Sequence, residues 1–311
     1  MLDLDVIRRE GKPGLAAALT ALERDAGNAE VIDLLDAAFR APKAHVIGLT
    51  GPPGVGKSTL MSVLIRHWRS GDRTVGVIAV DPSSRRTGGA LLGDRTRLAC
   101  DPADDGIFVR SMAARDKLGG LAAITVSAMV LMRAIYDIVL VETVGVGQSE
   151  ADVVTVADTV ILCIQPGSGD SLQFMKAGIT EIPHITVVTK GDMGATAERT
   201  LADARQALGL AGSGPQGWSA PVQAVAAHTG DGVEELIKEI DRHGAWLDQD
   251  GRLDAARAIQ AEQWLRDWVS ERFGGYGVER AADRLTLAPG RSPFGRKAEI
   301  ASVLIGATSA K

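Results

Sequence analysis

The segment Gly51-Pro-Pro-Gly54-Val55-Gly56-Lys57-Ser58-Thr59 follows an apolar run, His45 to Thr50, and precedes a helical pattern through Leu60, Leu64 and Trp68. Gly-x-x-x-x-Gly-Lys-Ser between a strand and a helix is the Walker A pattern, and it constrains the fold more than any other feature of the chain. Glycine lets the main chain wrap an anion at positive φ, and successive N–H groups and the helix N-terminus then face that anion. Lys57 can reach the outer phosphates of a nucleotide, and the Ser58 hydroxyl can ligate Mg²⁺. Gly54, Val55, Gly56, Lys57, Ser58 and Thr59 are therefore the first candidate nucleotide-binding residues.

The rest of the chain has the alternation such a loop requires. Short apolar runs recur at His45 to Thr50, Thr74 to Val80, Asp137 to Glu142, Thr159 to Ile164, His184 to Val188 and Pro221 to Val225, separated by helical patterns beginning near Lys57, Leu118, Gly169, Thr196 and Gly232. Repeated β-α units of this kind predict an α/β fold, a mainly parallel P-loop NTPase sheet flanked by helices. The stretch Gly209 to Pro221 reads as an exposed loop. Helical spacing before Pro42, broken near Gly27-Asn28, gives a helical N-terminal extension over 1–42. The P-loop GTPase domain is expected over 43–250. A helical arm over 251–311 carries Ala258 to Phe273, a break at Gly274-Gly275, and the apolar stretch Ile300 to Ile305. Apolar faces outside the sheet pattern must be buried somewhere, so this arm is expected to hold a homodimer, with Trp264 and Trp268, four apart, as packing residues.

Composition excludes several classes. Lys and Arg number 34 against 39 Asp and Glu, a net charge of −5, and the pI is near 5.6. That balance argues against gripping nucleic acid by bulk charge. The two cysteines, Cys100 and Cys163, form no C-x-x-C pair, so a disulfide framework is not expected and a reducing cytoplasm fits. His45, His67, His184, His228 and His243 have no metal-ligand spacing and read as surface or core residues. No run approaches the roughly 20 apolar residues of a bilayer span, and acidic residues among the first ten argue against a signal peptide.

Further polar positions fall at strand ends, where open α/β sheets bind ligands. Asp81 and Asp94 flank a Gly-rich segment and are candidates to order around Mg²⁺ and a nucleotide. Asp137 to Val141 delivers Glu142 to a Walker B position, where a carboxylate can hold a Mg²⁺-bound water or polarise an attacking water. Gln148 is either a water-positioning residue or an exposed loop residue. Thr189-Lys190-Gly191-Asp192 closes another strand. The Asp192 carboxylate can accept two hydrogen bonds from guanine N1–H and the 2-amino group, which adenine does not offer, so GTP is expected over ATP. Ala226-Ala227-His228 can supply N–H groups to guanine O6.

Gly51 to Thr59, Val80-Asp81-Pro-Ser-Ser, Thr87-Gly-Gly-Ala-Leu-Leu-Gly-Asp94, Val141-Glu142-Thr-Val-Gly-Val-Gly-Gln-Ser-Glu150 and Pro166-Gly-Ser-Gly-Asp170 together resemble the MeaB/MMAA (ArgK) family. The resemblance implies a P-loop GTPase that binds GTP or GDP with Mg²⁺ and chaperones an adenosylcobalamin-dependent acyl-CoA mutase, with an adenosyltransferase in the same pathway. Adenosylcobalamin would belong to the partner mutase. It further implies that Lys57, Ser58 and Thr59 bind phosphate and Mg²⁺, and that Asp81, Asp94 and Glu142 form the acidic environment of the ion and water. Residues near 81–97, 142–150 and 166–176 would be three switches. In the third, Asp170 and Lys176, with Gln173 on the same helix, would link nucleotide state to the mutase, Lys176 also neutralising charge during phosphoryl transfer. Thr189 stands where the family usually has Asn, Phe174 where it has Gly, and Ala226 where it has Ser. A nickel-insertion GTPase and a non-catalytic nucleotide-dependent scaffold are the alternative readings.

Overall fold

In a computed structural model of the chain, which describes residues 2–82, 101, 103–114, 123–143, 153–167, 183–211 and 217–308, seven strands form one sheet. They are β1 (His45–Thr50), β2 (Val75–Pro82), β3 (Ile107–Ala114), β4 (Ile138–Glu142), β5 (Thr159–Ile164), β6 (Ile185–Thr189) and β7 (Val222–Val225). Their order is β3-β2-β4-β1-β5-β6-β7, and every neighbouring pair is parallel. Central strands of parallel sheets are covered on both faces, and β5 and β6 are buried at every residue.

The chain folds as two compact units. The sheet unit, 45–121 and 137–250, includes helices α4 (Lys57–Ser70), α6 (Ala195–Ala211) and α7 (Val233–Leu247). Leu60, Met61, Leu64, Ile65 and Trp68 of α4 share one buried core with Ile47 and Leu49 of β1, Val75 and Val77 of β2, Leu140 of β4 and Leu236 and Ile240 of α7. At about 25 cal/mol per Å² of apolar surface removed from water, this core fixes α4, and with it the loop before Lys57, against the sheet.

The helical unit, 1–44, 122–136 and 251–311, contains α1 (Leu4–Glu10), α2 (Lys12–Arg24), α3 (Ala29–Arg40), α5 (Ala123–Arg133), α8 (Arg252–Arg280), α9 (Ala282–Leu285) and α10 (Pro293–Thr308). Asp3 caps α1 by accepting from the N–H groups of Asp5 and Val6, and Asn28 caps α3 by accepting from Glu30. The break expected at Gly274-Gly275 is a kink within α8, where Gly274 has φ 68° and ψ −171°.

Three features depart from the sequence reading. Strand β3 was not among the six expected, because Ile107-Phe-Val-Arg-Ser-Met lies at a sheet edge, where one neighbour suffices and Arg110 and Ser111 interrupt the apolar run. Helix α6 continues to Ala211, so Gly209 to Ala211 are helical and not part of a loop. The first 44 residues also fold into one unit with residues 251–311 and with α5, across the divisions drawn from sequence at 42 and 250. The helix starts expected near Leu118 and Gly169 lie outside the described residues.

Candidate nucleotide site

The carboxyl ends of β1, β4, β5, β6 and β7 carry the described part of the site. Gly51 leaves β1 with φ 132°, and a Cβ there would meet the Cys163 carbonyl at 2.2 Å. Only glycine lets the loop lie this close to β5. Gly54 and Gly56 also have positive φ, and Gly56 precedes the first turn of α4. Lys57 is 7% exposed, and its ammonium donates to the carbonyls of Gly51 at 2.7 Å and Pro52 at 3.1 Å. The charge is thus held over the loop that precedes it.

Parallel register brings β1 and β4 level, with Leu49 opposite Glu142. The Ser58 hydroxyl at the start of α4 lies 3.1 and 3.3 Å from the two Glu142 carboxylate oxygens. A hydroxyl beside a carboxylate is a hard oxygen pair, the donor chemistry that suits Mg²⁺. Ser58 and Glu142 are two of the four residues, with Asp81 and Asp94, on which the sequence places the ion. The β2 backbone runs through Asp81, paired with Ala113 of β3. Asp94, Gln148, Asp170, Gln173 and Lys176 lie outside the described residues, as does Phe174.

Two strands over, Thr189 ends β6 with its hydroxyl 2.6 Å from the Val55 carbonyl and 3.0 Å from the Ile164 carbonyl. Lys190 follows in the left-handed region, φ 52°, and donates to Gln165 Oε1 at 2.9 Å. The Gly191 N–H donates to the Val225 carbonyl at 3.1 Å, which fixes the exposed Asp192 beside the turn after β7. In that turn His228 Nε2 lies 3.6 Å from Asp192 Oδ2. The Ala226 N–H is already given to the Asp231 carbonyl at 2.9 Å. Gln165 was missed from sequence, since a polar residue after a strand carries no motif; its position directly after β5 was the available signal.

A second cluster sits at the amino ends of β1 and β5, where sequence spacing gave no hint of assembly. The Thr159 hydroxyl lies 2.6 Å from His45 Nε2 and 2.7 Å from His243 Nδ1. One hydroxyl has one proton, so it donates to one ring and accepts from the other. His184 Nδ1 accepts from the Val160 N–H at 2.9 Å, its ring lies 4.4 Å from that of His243, and Trp218 meets His243 edge-on at 4.5 Å. Burial pushes the imidazoles down, His184 to about 4 and His243 to about 2, with neighbouring histidines adding to the shift.

Comparison with known proteins gives concordant results. The family model of methylmalonyl-CoA mutase-associated GTPase MeaB matches residues 15–278. A protein of Pyrococcus horikoshii is 42% identical over 270 residues, 86% of this chain and 84% of its own length. GTPase ArgK of Escherichia coli is 34% identical over 277 residues, 85% of this chain and 82% of that protein. A solved structure of a LAO/AO transport system kinase superposes with a TM-score of 0.71 at 26% identity, covering 97% of this chain and 96% of that one.

Proposed function

The chain belongs to the MeaB family of methylmalonyl-CoA mutase-associated GTPases and is a P-loop GTPase, and from that membership we propose that its GTP hydrolysis gates adenosylcobalamin loading on an acyl-CoA mutase and protects or reactivates that enzyme. The mutase is methylmalonyl-CoA mutase or a related carbon-skeleton mutase. The observation that carries the chemistry is the meeting of Ser58 and Glu142 beside Lys57 at adjacent strand ends.

In this reading Lys57 exchanges the Gly51 and Pro52 carbonyls for the outer phosphate oxygens of GTP, and the N–H groups of Gly54 to Thr59 line the phosphate chain. Ser58, Glu142, Asp81 and Asp94 would hold Mg²⁺, which when bound neutralises charge between the outer phosphates. Glu142 orients water near the terminal phosphate. Asp192 receives the guanine N1–H and amino group, and the N–H groups of Ala227 and His228 serve O6, that of Ala226 being given to Asp231. Lys190 and Thr189 hold the edges of the base site. Gln148, Asp170, Gln173 and Lys176 are proposed to respond to the mutase. Phosphoryl transfer depends on positioning and charge more than covalent chemistry, so a group completed by the partner leaves the free protein slow.

The protein acts in the cytoplasm as a homodimer, with an adenosyltransferase supplying the cofactor. The apolar side chains of Ile259, Tyr276, Val303 and Ile305, all largely exposed, support a self-association surface on the helical arm. The test is single-turnover GTP hydrolysis and adenosylcobalamin transfer with and without purified methylmalonyl-CoA mutase. Stimulation of hydrolysis with nucleotide-dependent transfer is expected. Hydrolysis indifferent to the mutase, with transfer indifferent to nucleotide, would sink the chaperone reading while leaving the GTPase intact.

A further inference from the structure

The last residue of β6 and the one after it reach back to the last residue of β5 and the one after that. The Thr189 hydroxyl lies 3.0 Å from the Ile164 carbonyl, and the Lys190 ammonium donates to the Gln165 side-chain oxygen at 2.9 Å. The two strands are parallel neighbours with Val188 level with Ile164, so the corner is set in register by the sheet itself. Gln165 belongs to none of the motifs that mark the site.

The backbone of Lys190 has little freedom. Its φ is 52°, a left-handed conformation that a residue with a side chain keeps only where its surroundings hold it. Its carbonyl accepts from the Met193 N–H at 3.0 Å, and the next N–H along the chain, that of Gly191, donates to the Val225 carbonyl at 3.1 Å. A Cβ on Gly191 would lie 3.2 Å from the Ala224 Cβ and 3.3 Å from main-chain atoms of Val225, so β7 closes the turn from that side. What remains to be fixed is the long Lys190 side chain, which is exposed and has many rotamers open to it. The Gln165 oxygen selects among them.

When a flexible side chain has to be ordered as its ligand binds, the ordering cost is taken from the binding free energy. In the proposed function Lys190 forms an edge of the guanine site, and the role of Gln165 rests on that reading. We propose that Gln165 is a positioning residue of the base site, its side-chain oxygen holding the Lys190 ammonium where it meets a guanine nucleotide. The amide is uncharged, so it accepts from the ammonium without cancelling the positive charge offered to an anionic ligand. Lys57 is held by main-chain carbonyls of its own loop; Lys190 takes its acceptor from the end of a neighbouring strand.

The test is a double-mutant cycle on the full chain. Gln165→Met keeps the length of the side chain and removes the acceptor; it is compared with Lys190→Met and with both substitutions together, each titrated calorimetrically with GDP and with inorganic pyrophosphate. The contact is solvent-exposed, so neither substitution removes core packing. Gln165→Met should weaken GDP about three- to tenfold, the range for ordering one long side chain. Pyrophosphate, which fills the phosphate loop without a base, should stay within about twofold of its affinity for the unsubstituted chain. The double variant should match Lys190→Met to within about twofold, because Gln165 acts only through the ammonium. Losses that multiply in the double variant, an undiminished GDP affinity in Gln165→Met, or an equal loss for pyrophosphate would overturn the proposal and leave Lys190 in the site. Undiminished GDP affinity in Lys190→Met would overturn the role of Lys190 and the proposal with it.

Discussion

The Thr189 hydroxyl at the end of β6 donates to the Val55 carbonyl of the phosphate loop across 2.6 Å, with the Ile164 carbonyl of β5 at 3.0 Å. A side chain from the strand that leads to Asp192 therefore holds the loop that leads to Lys57. Thr189 is 5% exposed and Val55 fully buried, so the Val55 carbonyl would be left without this donor in a dry environment. Thr189→Val, which keeps the shape and removes the hydroxyl, should cost about 1–3 kcal/mol of stability and weaken GDP as the loop loosens. Thermal unfolding and a fluorescence GDP titration check this; wild-type values in both would show that the bond contributes nothing.

Lys57→Ala should reduce GTP and GDP affinity by about 100-fold or more, since a charge-assisted phosphate contact is removed from a buried position. Circular dichroism should be unchanged, because the α4 core made by Leu60, Leu64 and Trp68 does not involve the ammonium. Calorimetry with each nucleotide decides the point. Undiminished affinity would remove Lys57 from phosphate binding.

Asp192→Ala should weaken GTP far more than ATP, by about 10- to 100-fold in the ratio of affinities, because the carboxylate pairs only with guanine donors. Competition of both nucleotides against a fluorescent GDP analogue supplies the ratio. Equal losses would put base selection elsewhere.

The imidazoles of His184 and His243 titrate below their ordinary value of about 6.5 in the folded chain. His45 and Arg242 add to the depression of one or both, and Asp158 opposes it at His184. Below about pH 6.5 the unfolded rings take up protons that the folded rings refuse. Stability is therefore full above that value and falls as the pH drops, by up to about 1.4 kcal/mol per pH unit for each ring. Urea unfolding from about pH 7 to about pH 5 should show the decline, and His243→Asn should flatten it. An unchanged slope in the variant would remove His243 as its source.

Under the self-association proposed for the helical arm, Ile305→Glu, on the exposed side of α10, should give a monomer in light scattering where the unsubstituted chain gives a dimer, without altering GDP affinity; a monomer in both would overturn the proposed dimer. A truncation near Gly251 is not an equivalent test, because the residues it removes pack with 1–44 and 122–136 in one unit.

Much of this site was legible because its parts fall within short segments. Gly51 to Thr59 and Thr189 to Asp192 each state their chemistry within a few residues, and strand patterning gave their placement at sheet ends. What escaped depends on distant residues. His45, Thr159, His184 and His243 are far apart in sequence and meet through β1–β5 register and α7 packing. Strand β3 escaped for a different reason: an edge strand half open to solvent does not need the continuous apolar run by which β5 and β6 announce themselves. The role of Thr189 toward Val55 was hidden because a hydroxyl's acceptor cannot be read from its own neighbours in sequence.

The joining of residues 1–44 with 122–136 and 251–311 in one unit has a consequence for biogenesis. All seven strands have been made once Val225 is synthesised, and the sheet unit ends at residue 250. The helical unit still lacks α8, α9 and α10 at that moment, although its first three helices emerged earliest. On a ribosome α3 must wait for α10, the last helix of the chain, which packs against it, while the GTP-binding half closes. A translation-arrested chain ending near residue 250 should therefore protect its sheet from protease before α3 becomes resistant.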